Sequence, residues 1–235
     1  MSHDSNTTLA EIVDANPGAA RILERHQLDY CCGGRQTLAQ ACDERRLDPA
    51  AIIAELDAVT PTVADWTTMG PAELVDHIEA THHRYLHEEL PRLAALAHKV
   101  AEVHGERHAE LHQVEATFAE LRDDLEPHLM KEERVLFPMI RELANATTTP
   151  EFHCGSIDNP IRMMRFEHDR AGELLVQLRD ASNGYVTPDD ACGSYQALYR
   201  GLEELEADTH LHVHKENNVL FPAVEALEAQ LATTT

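Results

Sequence analysis

The spacing of apolar residues along the chain follows a helical period almost throughout. Strand-type alternation is scarce, and aromatic and β-branched residues are few, so the sequence predicts an all-α protein. After Pro71, four long amphipathic segments follow one another in two similar pairs, which predicts an antiparallel four-helix bundle. Such a fold builds cofactor sites from side chains that face its core. The four predicted helices cover residues 72–104, 110–145, 160–181 and 188–231.

A shorter helical pattern precedes the bundle. Two helical stretches, 9–24 and 38–56, flank a sharp break at the cysteine and glycine pairs of residues 31–34. A stretch containing proline and glycine then leads into the first long helix. We therefore expect a small helical domain over residues 1–57, a linker over 58–70 and the bundle over 71–235.

Composition narrows the classes of function. The formal net charge of −23 argues against binding nucleic acid through its phosphates, and it also disfavours an anionic membrane surface. The first residues carry no apolar run of the kind a signal peptide needs, and no apolar run reaches the length of a membrane span. Five cysteines at irregular spacing fit a reducing compartment better than a secreted disulfide framework. The composition therefore predicts a cytoplasmic protein.

An eleven-residue motif occurs twice in the chain, as HLMKEERVLFP beginning at His128 and HVHKENNVLFP beginning at His212. Seven positions are identical, and they include a His followed four positions later by a Glu. Residues at i and i+4 share one face of a helix, so each copy presents an imidazole together with the carboxylate of Glu132 or Glu216. A carboxylate can bridge two cations. The duplication therefore predicts a site for a pair of metals.

The first helix of each predicted pair supplies further candidates. His83 and His168 are 85 residues apart, nearly the period of the repeated motif, which makes them natural partners; His82 is the competitor to His83. The chain has 16 histidines, and neutral imidazole suits iron, zinc or copper better than calcium or magnesium. Zinc is the weaker candidate, because the chain has no HExxH motif and no cysteines at zinc-finger spacing.

Several motifs together carry a family resemblance. The sequence DYCCGG beginning at Asp29, EHDRAGELL beginning at Glu167 and the two copies of the repeat resemble the Repair of Iron Centres di-iron proteins. In that family, a small module with a DYCCGG motif precedes a hemerythrin-like bundle. The matching motifs span almost the whole chain, which makes the resemblance specific.

The resemblance implies two non-haem irons with terminal histidines, two bridging carboxylates and an oxo or hydroxo bridge. It also implies a fifth histidine after the first helix, where His104 fits best and His108 and His112 lie nearby. On that ligand count one position of two six-coordinate irons stays open for NO or dioxygen. The implied ligands are His83, His104, His128, Glu132, His168, His212 and Glu216.

Cys31 and Cys32 are adjacent in the sequence. Neighbouring cysteines can form only a strained eight-membered disulfide ring, which is readily reduced. They are predicted to be a redox-active or nitrosation-sensitive pair or a transient holder of iron. The alternative is that they only cap a helix in a small hydrophobic turn.

The function implied by the resemblance is repair of iron–sulfur clusters and other iron centres damaged by nitric oxide or oxidants. The partners would be NO or dioxygen and damaged iron–sulfur proteins, and two chains could pair. NO reduction at the same site is an enzymatic alternative, and an oxygen or NO carrier or sensor is a binding alternative. A ferritin-like oxidase is disfavoured, because its repeats have a Glu-x-x-His order whereas His precedes Glu here.

Overall fold

Residues 4–233 are described by a computed structural model, in which they are predominantly helical. These residues form no β-strand, only two isolated bridges, which confirms the all-α prediction. None of the described helices is both long and apolar enough to cross a membrane. The helices are α1 (Leu9–Ala15), α2 (Ala20–Arg25), α3 (Leu38–Arg45), α4 (Pro49–Asp57), α5 (Pro71–Ile78), α6 (Arg84–His104), α7 (Glu110–Lys131), α8 (Phe137–Ala144), α9 (Asp158–Ala181), α10 (Gly193–His214) and α11 (Phe221–Thr233).

The described chain divides into two compact units, and each contains more than one stretch of sequence. The first unit holds the residues up to His77, Ile140–Pro150 and the residues from His210 onward. The second holds Ile78–Met139 and Glu151–Thr209. The boundary at residue 209 falls inside α10, which contributes to both units.

The second unit is built from α6, α7, α9 and most of α10 around one apolar core. Each helix contributes side chains that are almost fully buried, among them Leu90, Phe118, Leu174 and Leu198. Helix α7 packs against both α6 and α9. Since only residues 105–109 join α6 to α7, these two helices run antiparallel. The core confirms the predicted four-helix bundle.

The first unit contains the small helical N-terminal part, which was also predicted. Thr8 and Thr37 each begin a helix with a capping box, in which the threonine and a Glu or Gln three residues later satisfy each other's backbone N–H groups. The predicted helices 9–24 and 38–56 are each divided in two. Asn16 ends α1 and caps a 3₁₀ turn, and Arg46 ends α3 in the left-handed conformation with φ of 57°.

Three of the long helical segments contain a π-helical turn that sequence periodicity did not predict. These turns cover Glu79–His83, Glu132–Leu136 and Lys215–Leu220. In the two copies of the repeat, the N–H of Phe137 donates to the carbonyl of Glu132, and Phe221 does the same to Glu216. This offset of five residues precedes a proline, which has no N–H to donate. Each of these π turns contains a candidate ligand, which is His83 at the end of the first, Glu132 at the start of the second and Glu216 in the third. Such turns often occur at functional sites.

Candidate metal centre

Glu132 is the central residue of the candidate site in the second unit. It lies at the junction of α7 and the following π turn, and its side chain is fully buried. Neither carboxylate oxygen has a hydrogen-bond partner among the described residues. A buried carboxylate without donors costs free energy, which a bound cation would compensate.

The two oxygens of Glu132 face different histidines. Oε1 lies 3.3 Å from Nε2 of His128 and 3.9 Å from Nε2 of His168, whereas Oε2 lies 3.4 Å from Nε2 of His83. The ligand atoms of Glu132, His128 and His168 all lie within 4.8 Å of one another. One carboxylate therefore stands between two sets of imidazole nitrogens, which is the arrangement that a bridging ligand needs.

Two outer carboxylates set the proton positions on these histidines. Glu133 lies 3.1 Å from Nδ1 of His83, and Glu167 lies 2.9 Å from Nδ1 of His128. The hydrogen bond from His128 outweighs burial and lowers the pKa of Glu167 to about 2, with further help from Lys131. Burial raises the pKa of Glu133, but its bonds to His87 and His83 lower it overall.

Ionised carboxylates only accept hydrogen bonds, so each Nδ1 donates its proton to them, and in the neutral imidazole each Nε2 then keeps a lone pair.

This donor set fits a metal. The Nε2 lone pairs of His83 and His128 point toward carboxylate oxygens that are also acceptors, so a cation is the group that would satisfy both. Imidazole nitrogens with carboxylates suit iron and similar transition metals.

The second copy of the motif has the same local geometry within the first unit. Nε2 of His212 lies 3.3 Å from Oε1 of Glu216, and both side chains are buried. This distance equals that between His128 and Glu132 in the first copy. The repeat of sequence is therefore also a repeat of structure.

The vicinal cysteines lie in a turn that Asp29 organises. Its carboxylate accepts hydrogen bonds from the backbone N–H groups of Cys31, Cys32 and Gly33 and from the thiol of Cys31. The two sulfur atoms are 3.9 Å apart. Cys31 is buried and Cys32 is half-buried. The hydrogen bond to Cys32, followed by burial, raises the pKa of the Cys31 thiol well above its usual range.

Both parts of the chain are similar to known protein families. A family model described as the hemerythrin HHE cation binding domain matches residues 74–224, and one for a domain of unknown function (DUF542) matches residues 5–60. The iron–sulfur cluster repair protein YtfE of Citrobacter koseri is 38% identical over 94% of this chain and 97% of its own length. The YtfE proteins of two Escherichia coli strains are 37% identical over the same shares. The chain belongs to the iron–sulfur cluster repair family of hemerythrin HHE proteins.

Membership of this family confirms the resemblance predicted from the DYCCGG motif and the repeated His and Glu. The HHE family is one of cation-binding domains, in accord with the donor set around Glu132. Both the small N-terminal part and the bundle match, so the relatives share the whole organisation of the chain.

His82 and His83 were alternative ligand candidates in the sequence, and the structure gives them different contacts. His83 faces Glu132, whereas Nδ1 of the neighbouring His82 lies 2.9 Å from the carboxylate of Asp208. The predicted fifth ligand, His104, is not brought to the site. It ends α6, twenty residues and about 30 Å beyond Arg84, with Nε2 3.1 Å from the sulfur of Cys192. A role of His104 as a ligand therefore stays a prediction from the resemblance alone.

Of the two alternatives to His104, His108 also contacts other residues. His108 lies between the carboxylates of Glu110 and Asp190. Among residues 4–233, no group of potential ligand atoms includes His104, His108 or His112.

Sequence reasoning missed the outer carboxylates Glu133 and Glu167. Both lie beside ligand candidates on predicted helices, but an exposed helix is rich in glutamates. Only the folded chain shows which of them reach an imidazole. A sequence criterion exists in hindsight, since a ligand histidine needs an acceptor for its second nitrogen.

Proposed function

We propose that this protein holds two irons between the histidines and carboxylates of the repeated motif. The proposal is supported by the fully buried Glu132, whose oxygens face different histidines, and by the matching pair in the second copy. Iron bound there would supply a redox-active centre with an open position for a small diatomic ligand such as NO or dioxygen. The proposed ligands are His83, His128, Glu132, His168, His212 and Glu216.

The residues around the proposed ligands have distinct roles. Glu133 and Glu167 keep the protons on Nδ1 and fix the orientation of the imidazole rings. Phe137 is fully buried and stacks on His83 with ring centroids 5.2 Å apart. Its counterpart Phe221 is also fully buried. These aromatic rings exclude water from the part of each helix that carries the proposed ligands. Electrostatic interactions between the ligands and a bound cation are stronger where water is excluded.

We further propose that the centre serves the repair of iron–sulfur clusters damaged by nitrosative or oxidative stress. The observation that carries this proposal is the match to proteins named for that repair over 94% of the chain, thiol turn included. Histidine and carboxylate ligands exchange more readily than a closed thiolate shell, as binding NO or donating iron requires. The damaged proteins are then the partners, and the cytoplasm is the proposed location.

A reconstitution experiment tests this function. A purified enzyme with a [4Fe–4S] cluster is inactivated with NO or peroxide and then incubated with the iron-loaded protein and a thiol reductant. Wild-type protein should restore activity, whereas His128→Leu and the double variant Cys31→Ala/Cys32→Ala should restore much less. Equal restoration by free ferrous iron at the same concentration would contradict the proposal. Catalytic consumption of NO without restoration would instead favour the reductase alternative.

A further inference from the structure

The two copies of the motif differ at positions that face different surroundings. Met130 and Arg134 of the first copy are exposed, and they correspond to His214 and Asn218 of the second. His214 is fully buried and Asn218 is half-buried. Within the first unit, both contact the turn that carries the vicinal cysteines. The second copy therefore departs from the first where it meets the thiol turn.

Asn218 grips the backbone of this turn directly. Its Nδ2 donates to the carbonyl oxygens of Cys31 at 2.9 Å and Tyr30 at 3.3 Å. The approach is so close that a Cβ atom on Gly34 would come within 2.6 Å of the Tyr30 carbonyl and 2.7 Å of the Asn218 side chain. Glycine at this position is thus required by the contact.

His214, one turn earlier in the helix, also contacts the backbone of the thiol turn. Its Nδ1 lies 3.2 Å from the Tyr30 carbonyl, and its Nε2 lies 3.0 Å from the carboxylate of Asp14. The ring also packs edge-on against Tyr30, with centroids 5.6 Å apart. Asp14 in turn accepts from the indole N–H of Trp66. The position of the thiol turn is therefore fixed against the helix by several buried contacts.

The Cys31 carbonyl belongs to the peptide bond between the two cysteines. That peptide lies inside the eight-membered ring that a Cys31–Cys32 disulfide would close. Closure must shorten the sulfur separation from 3.9 Å to about 2.05 Å. The peptide must therefore reorient, which displaces the carbonyl that Asn218 holds.

We propose that Asn218, supported by His214, is a positioning residue that couples the redox state of the Cys31–Cys32 pair to the metal-ligating π turn. Asn218 lies two residues after Glu216 in the turn Lys215–Leu220. Oxidation of the thiol pair breaks the hydrogen bond to Cys31 and releases one restraint on this turn. The coupling rests on the proposed function, because it assumes that Glu216 binds iron.

The oxidation step needs a two-electron oxidant, and a hydroperoxide is the class that fits the stress response. The half-buried Cys32 attacks the peroxide oxygen and forms a sulfenic acid, which releases an alcohol or water. The sulfur of Cys31 then displaces water from Cys32 and closes the disulfide, and its proton leaves with that water. Two thiols are oxidised and one hydroperoxide is reduced.

The test measures the thiol–disulfide equilibrium of the Cys31–Cys32 pair in glutathione buffers, by alkylation and mass spectrometry of the peptide that contains it. Wild-type protein, Asn218→Leu and the matched control Asn145→Leu, at an exposed asparagine of the same unit, are each compared without metal and with iron. In metal-free protein, Asn218→Leu should shift the equilibrium about tenfold toward the disulfide, equivalent to about 30 mV, while Asn145→Leu stays within about twofold. Iron should shift the wild-type equilibrium severalfold toward the thiols, and Asn218→Leu should abolish this shift.

By linkage, oxidation must weaken iron binding by the same factor as iron favours the thiols. If Asn218→Leu leaves the thiol–disulfide equilibrium of the metal-free protein unchanged, Asn218 does not position the thiol turn and the proposal is overturned. Full iron loading with no effect on the wild-type thiols would overturn the coupling but leave the proposed iron centre standing. Failure to bind iron at all would overturn both the proposed function and the coupling, whereas the metal-free comparison would still decide the role of Asn218.

Discussion

The buried carboxylate of Glu132 gives a prediction in which one substitution has opposite effects with and without metal. In metal-free protein the carboxylate is fully buried with no hydrogen-bond donor. Glu132→Gln removes the charge, and the new amide can donate to an Nε2 lone pair of His83 or His128. Relief of one buried unsatisfied group is worth about 1–3 kcal/mol, which raises Tm by about 3–9 °C for a chain of this length.

In iron-loaded protein the same substitution should destabilise. Glutamine has only one oxygen and no charge, so it could not bridge two metals as we propose for Glu132. A 100-fold loss of affinity removes about 2.7 kcal/mol of ligand-linked stability, or about 5–10 °C in Tm. The stabilities of wild type and variant therefore cross when iron is added.

Thermal unfolding followed by circular dichroism, with and without ferrous iron under anaerobic conditions, measures both effects. Glu126→Gln is the matched control, because this glutamate lies on the same helix with its side chain 52% exposed. It should change the unfolding free energy by less than about 0.5 kcal/mol in either state. A lower Tm for metal-free Glu132→Gln, or an undiminished rise in Tm on adding iron, would refute the reasoning.

Three further predictions concern the surroundings of the site. Glu167→Gln should weaken iron binding about 10–100-fold in a competition titration. Because the pKa of the Glu167 carboxyl is lowered to about 2, the ionised carboxylate stabilises the folded protein fully above about pH 4.5, and this contribution is lost as the pH falls toward 2. The variant should therefore show a weaker pH dependence of the unfolding free energy over that range. Gly34→Ala should cost about 1–3 kcal/mol in denaturant unfolding, whereas Gly172→Ala, in α9 with open space around it, should stabilise by about 0.5–1 kcal/mol; equal effects would contradict the close-contact argument. His104→Leu should leave iron content unchanged, and loss of iron would restore this histidine as a ligand.

Most of the fold could be predicted because local sequence features determine these helices, namely the period of the apolar residues and the capping residues at the helix ends. The four long segments after Pro71 correspond to helical stretches of the structure, with ends that shift by a few residues. The π turns could not be predicted, since one inserted residue changes the apolar spacing at a single point, which the average period of a long segment does not reveal. The two short predicted helices are each interrupted. Asn16 interrupts the first by capping a 3₁₀ turn with its side chain, and Arg46 interrupts the second with its left-handed backbone.

The sequence selects candidate ligands most clearly where it contains a repeat. The periods of His128 and His212, and of His83 and His168, select residues without any knowledge of the fold. His104 has no repeated counterpart, and it lies at the end of a continuous helix, about 30 Å beyond Arg84. Long-range contacts such as that of Asn218 with Cys31 have no local pattern, so only the folded chain reveals them.

The central claim is that both copies of the motif supply ligands to one pair of irons. It is tested most directly by iron analysis and Mössbauer spectroscopy of ⁵⁷Fe-loaded protein, for wild type, His128→Leu and His212→Leu. We predict two irons per wild-type chain with coupled spins, and loss of the coupled pair in both variants. A coupled pair that survives in His212→Leu, or a single uncoupled iron in the wild type, would contradict the claim.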